Sequence, residues 1–486
     1  MDSRLLQLLQ KYDVPGPRYT SYPTVPAWTS DVGKENYKKA LREITGDACG
    51  RAPDRAAVVL LHDEDESGRT RRRQDPLSLY FHLPFCESLC HFCGCMQVIT
   101  KDHARSREYV DVLLTELDRI GDLLPKDTRE VVQLHFGGGT PNFLQPEELK
   151  EIVDRVRKHF HLLSDAEIAI ELHPRTSTEA FCEMLAELKF NRISLGVQDF
   201  DPTVQKLIHR NQTYEMTEEM VTLLRKLGFQ SFNFDLVYGL PGQTMKGWKE
   251  TLKKVLYLHP DRLAVYSYAH VPWVRPVQRS FKDSDLPPPE LKLQLFEKAY
   301  ETFTQNGYRH IGIDHFALKE DELSRALDNE TIHRNFMGYS TRADAHQIGF
   351  GVSSISYVGG NYFQNKKELR AYYESIRQGQ LATFRGFCLN RDDTLRRDLI
   401  TRIMCRGRVD IPAFEKAWDI RFADYFAEDV SRLKTFADDG LLAIDENKIR
   451  AVNEGTLFLR NIAMAFDRYL EGVRSHAKTP VFSRTV

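Results

Sequence analysis

The sequence lacks the features that would place it in a membrane, on nucleic acid or in the secretory route. Its longest apolar run, residues 56–61, is far shorter than the roughly 18 residues that cross a bilayer. Lysine plus arginine total 67 and aspartate plus glutamate total 69, so the formal net charge is −2. This balance argues against binding nucleic acid through bulk positive charge. The first residues have no leader pattern, so we expect a cytoplasmic protein without a membrane or nucleic-acid partner.

The chain does contain enough apolar sequence for a large folded core. It is 486 residues long, of which 42% are apolar and 11% aromatic. This composition excludes a wholly disordered chain. The length suggests two to four domains, or one large barrel with an appendage.

The middle of the chain alternates between strand and helix patterns. The predicted strands are 77–83, 130–136, 166–172, 192–197, 232–238 and 262–268, and the predicted helices are 106–123, 147–160, 178–188, 214–227 and 246–258. Apolar, β-branched strands separated by helices are typical of βαβ units and a parallel sheet. We therefore predict a partial (βα)6-type α/β barrel, with a doubly wound open sheet as the alternative.

The sequence on either side of the barrel differs in character. Residues 1–75 combine a helix, an extended proline-rich arm and a charged stretch, 62–75, that we expect to be solvated and disordered. The barrel is predicted at 76–285 and an extension of it at 286–385, with a helix over 290–306 and a strand over 308–316. Residues 386–486 are predicted to form a mostly helical, winged-helix-like domain with a hairpin at 441–452.

Four of the eight cysteines, Cys86, Cys90, Cys93 and Cys95, stand within ten residues after the first predicted strand. A tight cluster in a large chain indicates a metal or redox site rather than a disulfide framework. Thiolates suit zinc or an iron–sulfur cluster. Three cysteines would bind three irons of a 4Fe-4S cluster and leave the fourth iron open. The alternative, in which Cys95 completes a closed zinc or electron-transfer centre, stays open.

The motif Cys-x3-Cys-x2-Cys, with Phe92 before its third cysteine, resembles the signature of the radical S-adenosylmethionine (SAM) superfamily. Further motifs resemble the oxygen-independent coproporphyrinogen III oxidase (coproporphyrinogen dehydrogenase) family within it. They cover nearly the whole chain apart from 51–75, and they are 16–23 (GPRYTSYP), Cys95, 137–141 (GGGTP), 196–200 (GVQDF), 235–241 (DLVYGLP), 333–336 (HRNF), 422–426 (FADYF) and 482–484 (FSR).

The resemblance implies an oxidoreductase of porphyrin and haem biosynthesis. Such an enzyme converts two propionates of coproporphyrinogen III to vinyls and gives protoporphyrinogen IX. The implied cofactors are a 4Fe-4S cluster and two bound SAM molecules. A SAM-derived 5′-deoxyadenosyl radical would abstract a hydrogen from each propionate, and loss of CO2 and an electron would follow. The resemblance also implies a flavodoxin- or ferredoxin-type electron donor and a monomer.

The resemblance assigns roles to individual residues. Cys86, Cys90 and Cys93 are the implied cluster ligands. Tyr80, His82 and Cys95 are the implied catalytic residues, with Cys95 as a thiol that does not bind the cluster. The implied SAM-binding residues are Tyr80, Phe92, Gly138, Gly139, Thr140, Glu171, Gln198, Arg210, Asp235, Ala269 and Ile355. We add Arg18 as a substrate-binding residue, because the planar fork of arginine binds carboxylates bidentately.

Three places depart from the family pattern: His173 stands where Asp or Asn is usual, His346 where a carboxylate is usual, and Arg406-Gly407 where an Asn-Phe pair is usual. These departures concern substrate contacts and docking of the C-terminal domain rather than the cluster. Two alternative functions stay open. One is a haem-binding chaperone of the same superfamily, and the other is a different radical SAM enzyme, such as a methyltransferase or a haem-degrading protein.

Overall fold

The computed structural model describes residues 3–44, 76–343, 345–477 and 479–485. The stretch 62–75, which we predicted to be disordered, lies outside the described residues. In chain order the helices are α1 (Ser3–Tyr12), α2 (Lys34–Arg42), α3 (Ala104–Leu123), α4 (Pro146–His159), α5 (Glu179–Glu187), α6 (Pro202–Leu207), α7 (Tyr214–Lys226), α8 (Met245–Leu258), α9 (Pro289–Gln305), α10 (Glu322–Asp328), α11 (Leu369–Arg377), α12 (Arg391–Arg406), α13 (Ile411–Trp418), α14 (Phe422–Tyr425), α15 (Ala427–Asp438), α16 (Leu459–Met464) and α17 (Leu470–Ser475). None of them has the length and apolar character needed to cross a membrane.

In chain order the strands are β1 (Leu77–Leu83), β2 (Phe85–Cys86), β3 (Val98–Ile99), β4 (Glu130–Gly138), β5 (His161–Leu172), β6 (Arg192–Gln198), β7 (Ser231–Tyr238), β8 (Arg262–Ser267), β9 (Tyr308–Ile311), β10 (His315–Leu318), β11 (His333–Asn335), β12 (Gly338–Ser340), β13 (His346–Phe350), β14 (Ile355–Val358), β15 (Asn361–Asn365), β16 (Thr383–Cys388), β17 (Arg408–Asp410), β18 (Leu442–Ile444) and β19 (Lys448–Ala451). The six predicted barrel strands correspond to β1 and β4–β8. The largest difference at a strand start is in β5, which begins at His161 rather than at residue 166.

The central sheet confirms the partial barrel. Its twelve strands have the order β16-β15-β14-β13-β1-β4-β5-β6-β7-β8-β10-β9. From β1 through β8, successive parallel strands add to the same side in chain order. A doubly wound sheet needs a point where the strand order reverses, and none occurs along this series, so that alternative is excluded.

Two features of the sheet extension differ from the expected pattern. The segment 308–316 is not one strand, because it turns at Gly312, where φ is +61°, and forms the antiparallel pair β9–β10. β13 adds a seventh parallel strand on the other side of β1. Its position beside β1 follows from a long-range pairing that local sequence does not encode.

The two faces of β1 have different environments. Leu77, Leu79 and Phe81 point into the apolar core between the sheet and its helices. Ser78, Tyr80 and His82 alternate with them and therefore lie on the opposite, concave face. Polar contacts continue across this face: Ser78 Oγ donates to Gln133 Oε1 at 2.8 Å. The concave face is thus a polar interior that positions functional side chains.

A second apolar core lies in the C-terminal region and includes residues of α1 and of the N-terminal arm. The predicted hairpin is present as β18–β19, to which β17 adds a third strand. Arg460 donates to the carbonyl oxygens of Gly16 and Pro17. Tyr19 Oη donates to Asp467 Oδ2 at 3.0 Å. The extended arm is therefore held against the C-terminal helices.

Candidate active site

The clustered cysteines lie on a loop that leaves the carboxyl end of β1. The short parallel pair β2–β3 closes this loop. Within it, the backbone N–H of Cys93 donates to the Cys90 carbonyl at 3.1 Å, and the backbone N–H of His91 donates to the Ile208 carbonyl at 2.9 Å. The loop therefore holds its shape through backbone hydrogen bonds to itself and to the next layer of the barrel.

Two of the thiols are buried and receive hydrogen bonds from neighbouring elements. Thr140 Oγ1 donates to Cys86 Sγ at 3.2 Å, and Arg210 Nη1 donates to Cys90 Sγ at 3.8 Å. Burial raises the pKa of the Cys86 thiol to about 12 and also raises the pKa of Cys90, which the Arg210 charge opposes. Binding of a cation, or of a cationic cluster, would stabilise both thiolates.

Cys93 and Cys95 interact with each other. The hydrogen bond from Cys95 lowers the pKa of the Cys93 thiol to about 6 and raises the pKa of Cys95. Cys95 is exposed, whereas Cys93 is half-buried. The two thiols are therefore coupled, and Cys93 has the lower pKa of the pair.

The three predicted ligands line one pocket together with Phe92, Gly139, Thr140 and Arg210. Among the described side chains, no three histidine, cysteine, aspartate or glutamate residues surround a common point for a single metal ion. The three separate thiols around one pocket are compatible with a 4Fe-4S cluster, because each thiolate of such a cluster binds its own iron.

His173 and Arg175 line the same pocket and have unsatisfied donors. The backbone N–H of Arg175 donates to His173 Nδ1 at 3.3 Å, so the ring proton of neutral His173 lies on Nε2. His173 Nε2 and Arg175 Nε are buried without a hydrogen-bond partner. Burial and the charges of Arg210 and Arg175 hold the pKa of His173 well below its usual range. A ligand with acceptor atoms, such as a sulfide or a carboxylate, fits this pocket.

Tyr80 and His82 form a hydrogen-bonded pair on the concave face. His82 Nε2 lies 3.1 Å from the Met96 carbonyl oxygen, so Nε2 carries the proton and Nδ1 accepts from Tyr80 Oη at 3.2 Å. Burial lowers the pKa of His82 and keeps the ring neutral. On the next strand, His135 stacks on Tyr80, with the ring centroids 5.8 Å apart.

The glycine turn after β4 places a carboxylate beside this pair. Gly138 has φ +117°, and a Cβ at this position would lie 2.7 Å from the His82 ring, so a larger residue would displace His82. The Gly138 N–H donates to Glu171 Oε2 at 3.2 Å, and His135 Nε2 lies 3.3 Å from Glu171 Oε1. Gly138, Glu171 and His82 therefore meet at the carboxyl ends of β1, β4 and β5.

Another group of predicted SAM-binding residues lies around β6 and β7. Arg210 Nη2 donates to the Gly196 carbonyl at 2.6 Å, and a Cβ on Gly196 would lie 2.8 Å from Gln198 Nε2. Asp235 accepts from Asn233 Nδ2 at 2.9 Å. Burial, followed by the charge of Glu171, raises the pKa of Asp235 to about 7.

Phe92 and Ala269 are joined through Gln278, whose Nε2 donates to both carbonyl oxygens, at 3.4 and 3.2 Å. Ile355 lies at the start of β14. Its carbonyl oxygen packs closely against Gly349, since a Cβ added to this glycine would lie 2.5 Å from that oxygen. Gly349 in turn pairs with Tyr80 where β13 lies beside β1. Ile355 therefore approaches the Tyr80 end of the concave face through its backbone.

Arg18 lies at a different part of the molecule from the cysteine pocket. Its guanidinium pairs with Asp314 and lies over the Tyr266 ring, 5.5 Å from the centroid. It lines a cavity of about 810 Å³ between the barrel and the C-terminal region. The pairing of Arg18 with Asp314 is a contact that the sequence did not predict.

Sequence reasoning missed His135 and Arg175. The strand alternation could have found His135, because it lies two residues from Gly137 on the concave face of β4. No local signal marks Arg175. Of the departures from the family pattern, His173 lines the cysteine pocket, His346 is buried in β13, and Arg406 pairs with Glu330 at 3.2 Å.

Comparison with known proteins agrees with this geometry. Residues 80–255 match the radical SAM superfamily model, and residues 389–458 match the HemN C-terminal domain model. The chain is 42% identical to the oxygen-independent coproporphyrinogen III oxidase of Escherichia coli and 40% identical to that of Pseudomonas aeruginosa, each over 99% of this chain and 98% of the relative. The solved structure of coproporphyrinogen III oxidase from E. coli superposes with a TM-score of 0.85 at 40% identity, covering 96% of this chain and 98% of that chain.

Proposed function

The chain belongs to the oxygen-independent coproporphyrinogen III oxidase family, and we propose that it converts two propionates of coproporphyrinogen III to vinyls, giving protoporphyrinogen IX by oxidative decarboxylation. It is a radical SAM oxidoreductase of porphyrin biosynthesis. The observation that carries this assignment is the full-length identity of 42% to a relative of this activity. The position of Cys86, Cys90 and Cys93 around one pocket supports it.

Enzymes of the radical SAM superfamily use a 4Fe-4S cluster and SAM, which supply the one-electron chemistry that removes a hydrogen atom from the substrate. In this chain Cys86, Cys90 and Cys93 would hold the cluster. Thr140 and Arg210 hold the thiolates of Cys86 and Cys90 in place by hydrogen bonds. Cys95 stabilises the Cys93 thiolate without serving as a ligand.

We further propose two SAM sites. The first would be formed by Tyr80, Gly138, Glu171 and Ile355, where Glu171 is free to accept from an ammonium group and Gly138 offers close backbone approach. The second would be formed by Phe92, Gly139, Thr140, Gln198, Arg210, Asp235 and Ala269. Tyr80 and His82 would orient the bound cofactor at the boundary between the first SAM and the substrate. Their mutual hydrogen bond fixes both side chains.

The remaining proposals concern organisation and partners. We propose the division 1–75, 76–285, 286–385 and 386–486. The separate apolar core formed mainly by residues 395–466 supports the last of these boundaries. Arg18 would bind a propionate of the substrate from the arm. The electron donor would be a flavodoxin- or ferredoxin-type protein, and the enzyme would act as a cytoplasmic monomer.

An anaerobic assay tests the function. Reconstituted protein is incubated with SAM, a reductant and coproporphyrinogen III, and the product is analysed by chromatography together with released CO2. We expect two CO2 per protoporphyrinogen IX formed. The Cys90→Ala variant, which removes a predicted ligand, is expected to lose iron and activity. Haem binding without turnover would instead indicate the chaperone function, and methyl transfer or haem cleavage would indicate another radical SAM activity.

A further inference from the structure

A cleft rich in arginine lies on the concave face, at the end of the barrel opposite the cysteine loop. Its floor includes Ser78 on β1 and Gln347 on β13, which pair across the two strands. Residues 19–22 of the arm and Arg397, Ile400 and Thr401 of α12 form its walls. Three arginines, Arg334, Arg342 and Arg397, line the cleft. None of the lining residues that the structure describes carries a carboxylate group. We call it the arginine cleft.

Arg334 carries a buried charge with an unsatisfied donor. The residue is 6% exposed, and its Nη1 has no hydrogen-bond partner. Its Nε donates to the Arg18 carbonyl at 3.2 Å, and its guanidinium lies over the Tyr339 ring. The carboxylate that faces Arg334 is that of Asp314, whose Oδ1 lies 3.8 Å from Arg334 Nη1. This carboxylate already pairs with Arg18 and His315.

Arg397 contacts two tyrosines, and the charge of the adjacent Asp398 also acts on it. Its Nε donates to Tyr362 Oη at 3.0 Å, and its guanidinium lies over the Tyr357 ring at 4.2 Å from the centroid. Removing a charge from water is costly unless an opposite charge compensates it. Arg334 and Arg397 line one cleft whose described lining residues include no aspartate or glutamate, so the cleft provides a site for anionic groups.

The arginine cleft and the site around Tyr80 and His82 lie on the same concave face of the sheet. Ser78, Tyr80 and His82 alternate along β1 and point to the same side. Ser78 on the floor and His82 are four positions apart along β1, a distance of about 13 Å at the rise of a parallel strand. The arm residues Tyr19 and Tyr22 cover the cleft, and Tyr80 lies between the two ends.

We propose that Arg334 and Arg397 of the arginine cleft bind the two propionates of coproporphyrinogen III that are not decarboxylated. This inference rests on the proposed function. The two propionates that persist in the product stand side by side, on the edge of the macrocycle opposite to the reacting pair. When one reacting propionate lies near Tyr80 and His82, the two persistent propionates at the opposite edge of the macrocycle point towards the arginine cleft. Each guanidinium can offer a bidentate fork to a carboxylate.

Binding of two porphyrins to the reconstituted holoenzyme tests the proposal. Coproporphyrin III carries four propionates, whereas mesoporphyrin IX carries only the persistent two. Both are stable in air and can be titrated by fluorescence quenching. We expect Arg334→Met and Arg397→Met each to raise the Kd for both porphyrins at least tenfold. Arg334→Lys and Arg397→Lys, which keep the charge but lose the fork, should raise both values by about threefold.

Controls separate a binding effect from misfolding. Arg370→Met removes an arginine whose side chain is 91% exposed on α11, and both Kd values should stay within twofold of wild type. Iron content should be unchanged in the cleft variants. Unchanged Kd values in both methionine variants would overturn the proposal. A loss confined to coproporphyrin III would also overturn it, because the cleft would then hold a reacting propionate. If the proposed function itself fails, the wild-type enzyme makes no vinyl product.

Discussion

The hydroxyl group of Tyr80 donates a hydrogen bond to His82 Nδ1, at an oxygen–nitrogen distance of 3.2 Å. The other ring nitrogen of His82 donates a hydrogen bond to the Met96 carbonyl oxygen. The two contacts fix the tautomer and the orientation of a neutral histidine. Met96 belongs to the cysteine loop, so one imidazole joins the concave face of β1 to that loop.

This relationship predicts the behaviour of Tyr80→Phe. The variant keeps the aromatic ring against His135 but removes the donor to His82, which costs about 1 kcal/mol of net hydrogen-bond energy. We expect iron content at the wild-type level and a roughly tenfold weaker affinity for SAM, measured by equilibrium binding. Tyr257→Phe, at a 75% exposed position on α8, is the control. Wild-type SAM affinity in Tyr80→Phe would contradict the positioning role.

Gly138→Ala should disrupt the site without unloading the cluster. The left-handed backbone and the 2.7 Å approach to His82 leave no room for a methyl group. Strain of this kind costs about 1–3 kcal/mol. We expect a lower Tm and at least a tenfold loss of SAM cleavage, with iron content retained. Gly472→Ala is the matched control, since nothing lies within 4 Å of its added Cβ. Equal behaviour of the two variants would refute the steric argument.

The roles proposed for Cys93 and Cys95 predict that the two alanine variants differ in iron content although both lose activity. Cys93→Ala should lose iron, because it removes a proposed ligand. Cys95→Ala should keep its iron yet lose most of its turnover, since the Cys93 thiolate loses its hydrogen-bond donor. Cys388→Ala removes an exposed thiol elsewhere and should match wild type. Loss of iron in Cys95→Ala, measured by colorimetric assay and absorbance, would show that Cys95 is a ligand.

Arg18→Ala should raise the KM for coproporphyrinogen III about tenfold while the cluster still loads. The variant removes a fork that binds carboxylate, and it also removes the partner of Asp314. Arg18→Ala with Asp314→Asn separates the two effects, because the double variant leaves no unpaired carboxylate. The control is Arg421→Ala, whose side chain is 80% exposed. Unchanged KM and turnover in Arg18→Ala would exclude Arg18 from substrate binding.

Asp235 should make stability depend on pH. Its carboxyl ionises near 3.8 in the unfolded chain and near 7 in the folded protein. Unfolding therefore releases a proton between these values, so stability falls as pH rises from about 4 to 7 and is level above that. Asp235→Asn removes this slope. At about 1.4 kcal/mol per pKa unit, and with nearly two units of pH between 5 and 7, the variant should gain about 3 kcal/mol over wild type between pH 5 and pH 8.

Thermal unfolding at pH 5, 6, 7 and 8 measures this gain. The Tm difference between Asp235→Asn and wild type should widen with pH and then stay constant. Asp424→Asn, at a side chain that is 69% exposed, should show no such widening. A constant Tm difference across the whole range would mean that Asp235 is ionised at every pH tested.

The sequence by itself determined the barrel strands, the cysteine loop and the family. Period-two and helical patterns are local, so β1 and β4–β8 could be predicted from them, and the spacing of Cys86, Cys90 and Cys93 indicated cluster chemistry. Strand alternation also contained the information that His135 faces the site. The domain boundaries and the SAM contacts remain predictions.

Tertiary structure decided the contacts between residues far apart in the chain. The pairing of β13 with β1, the ion pair of Arg18 with Asp314 and the cleft that both Arg334 and Arg397 line join segments separated by dozens to hundreds of residues. Local propensity does not encode such pairs, because their energy comes from burial and charge once the sheet has formed. The motifs 16–23 and 333–336 contribute residues to the arginine cleft, but the cleft itself exists only because the arm, β11 and α12 converge on the floor of β1 and β13.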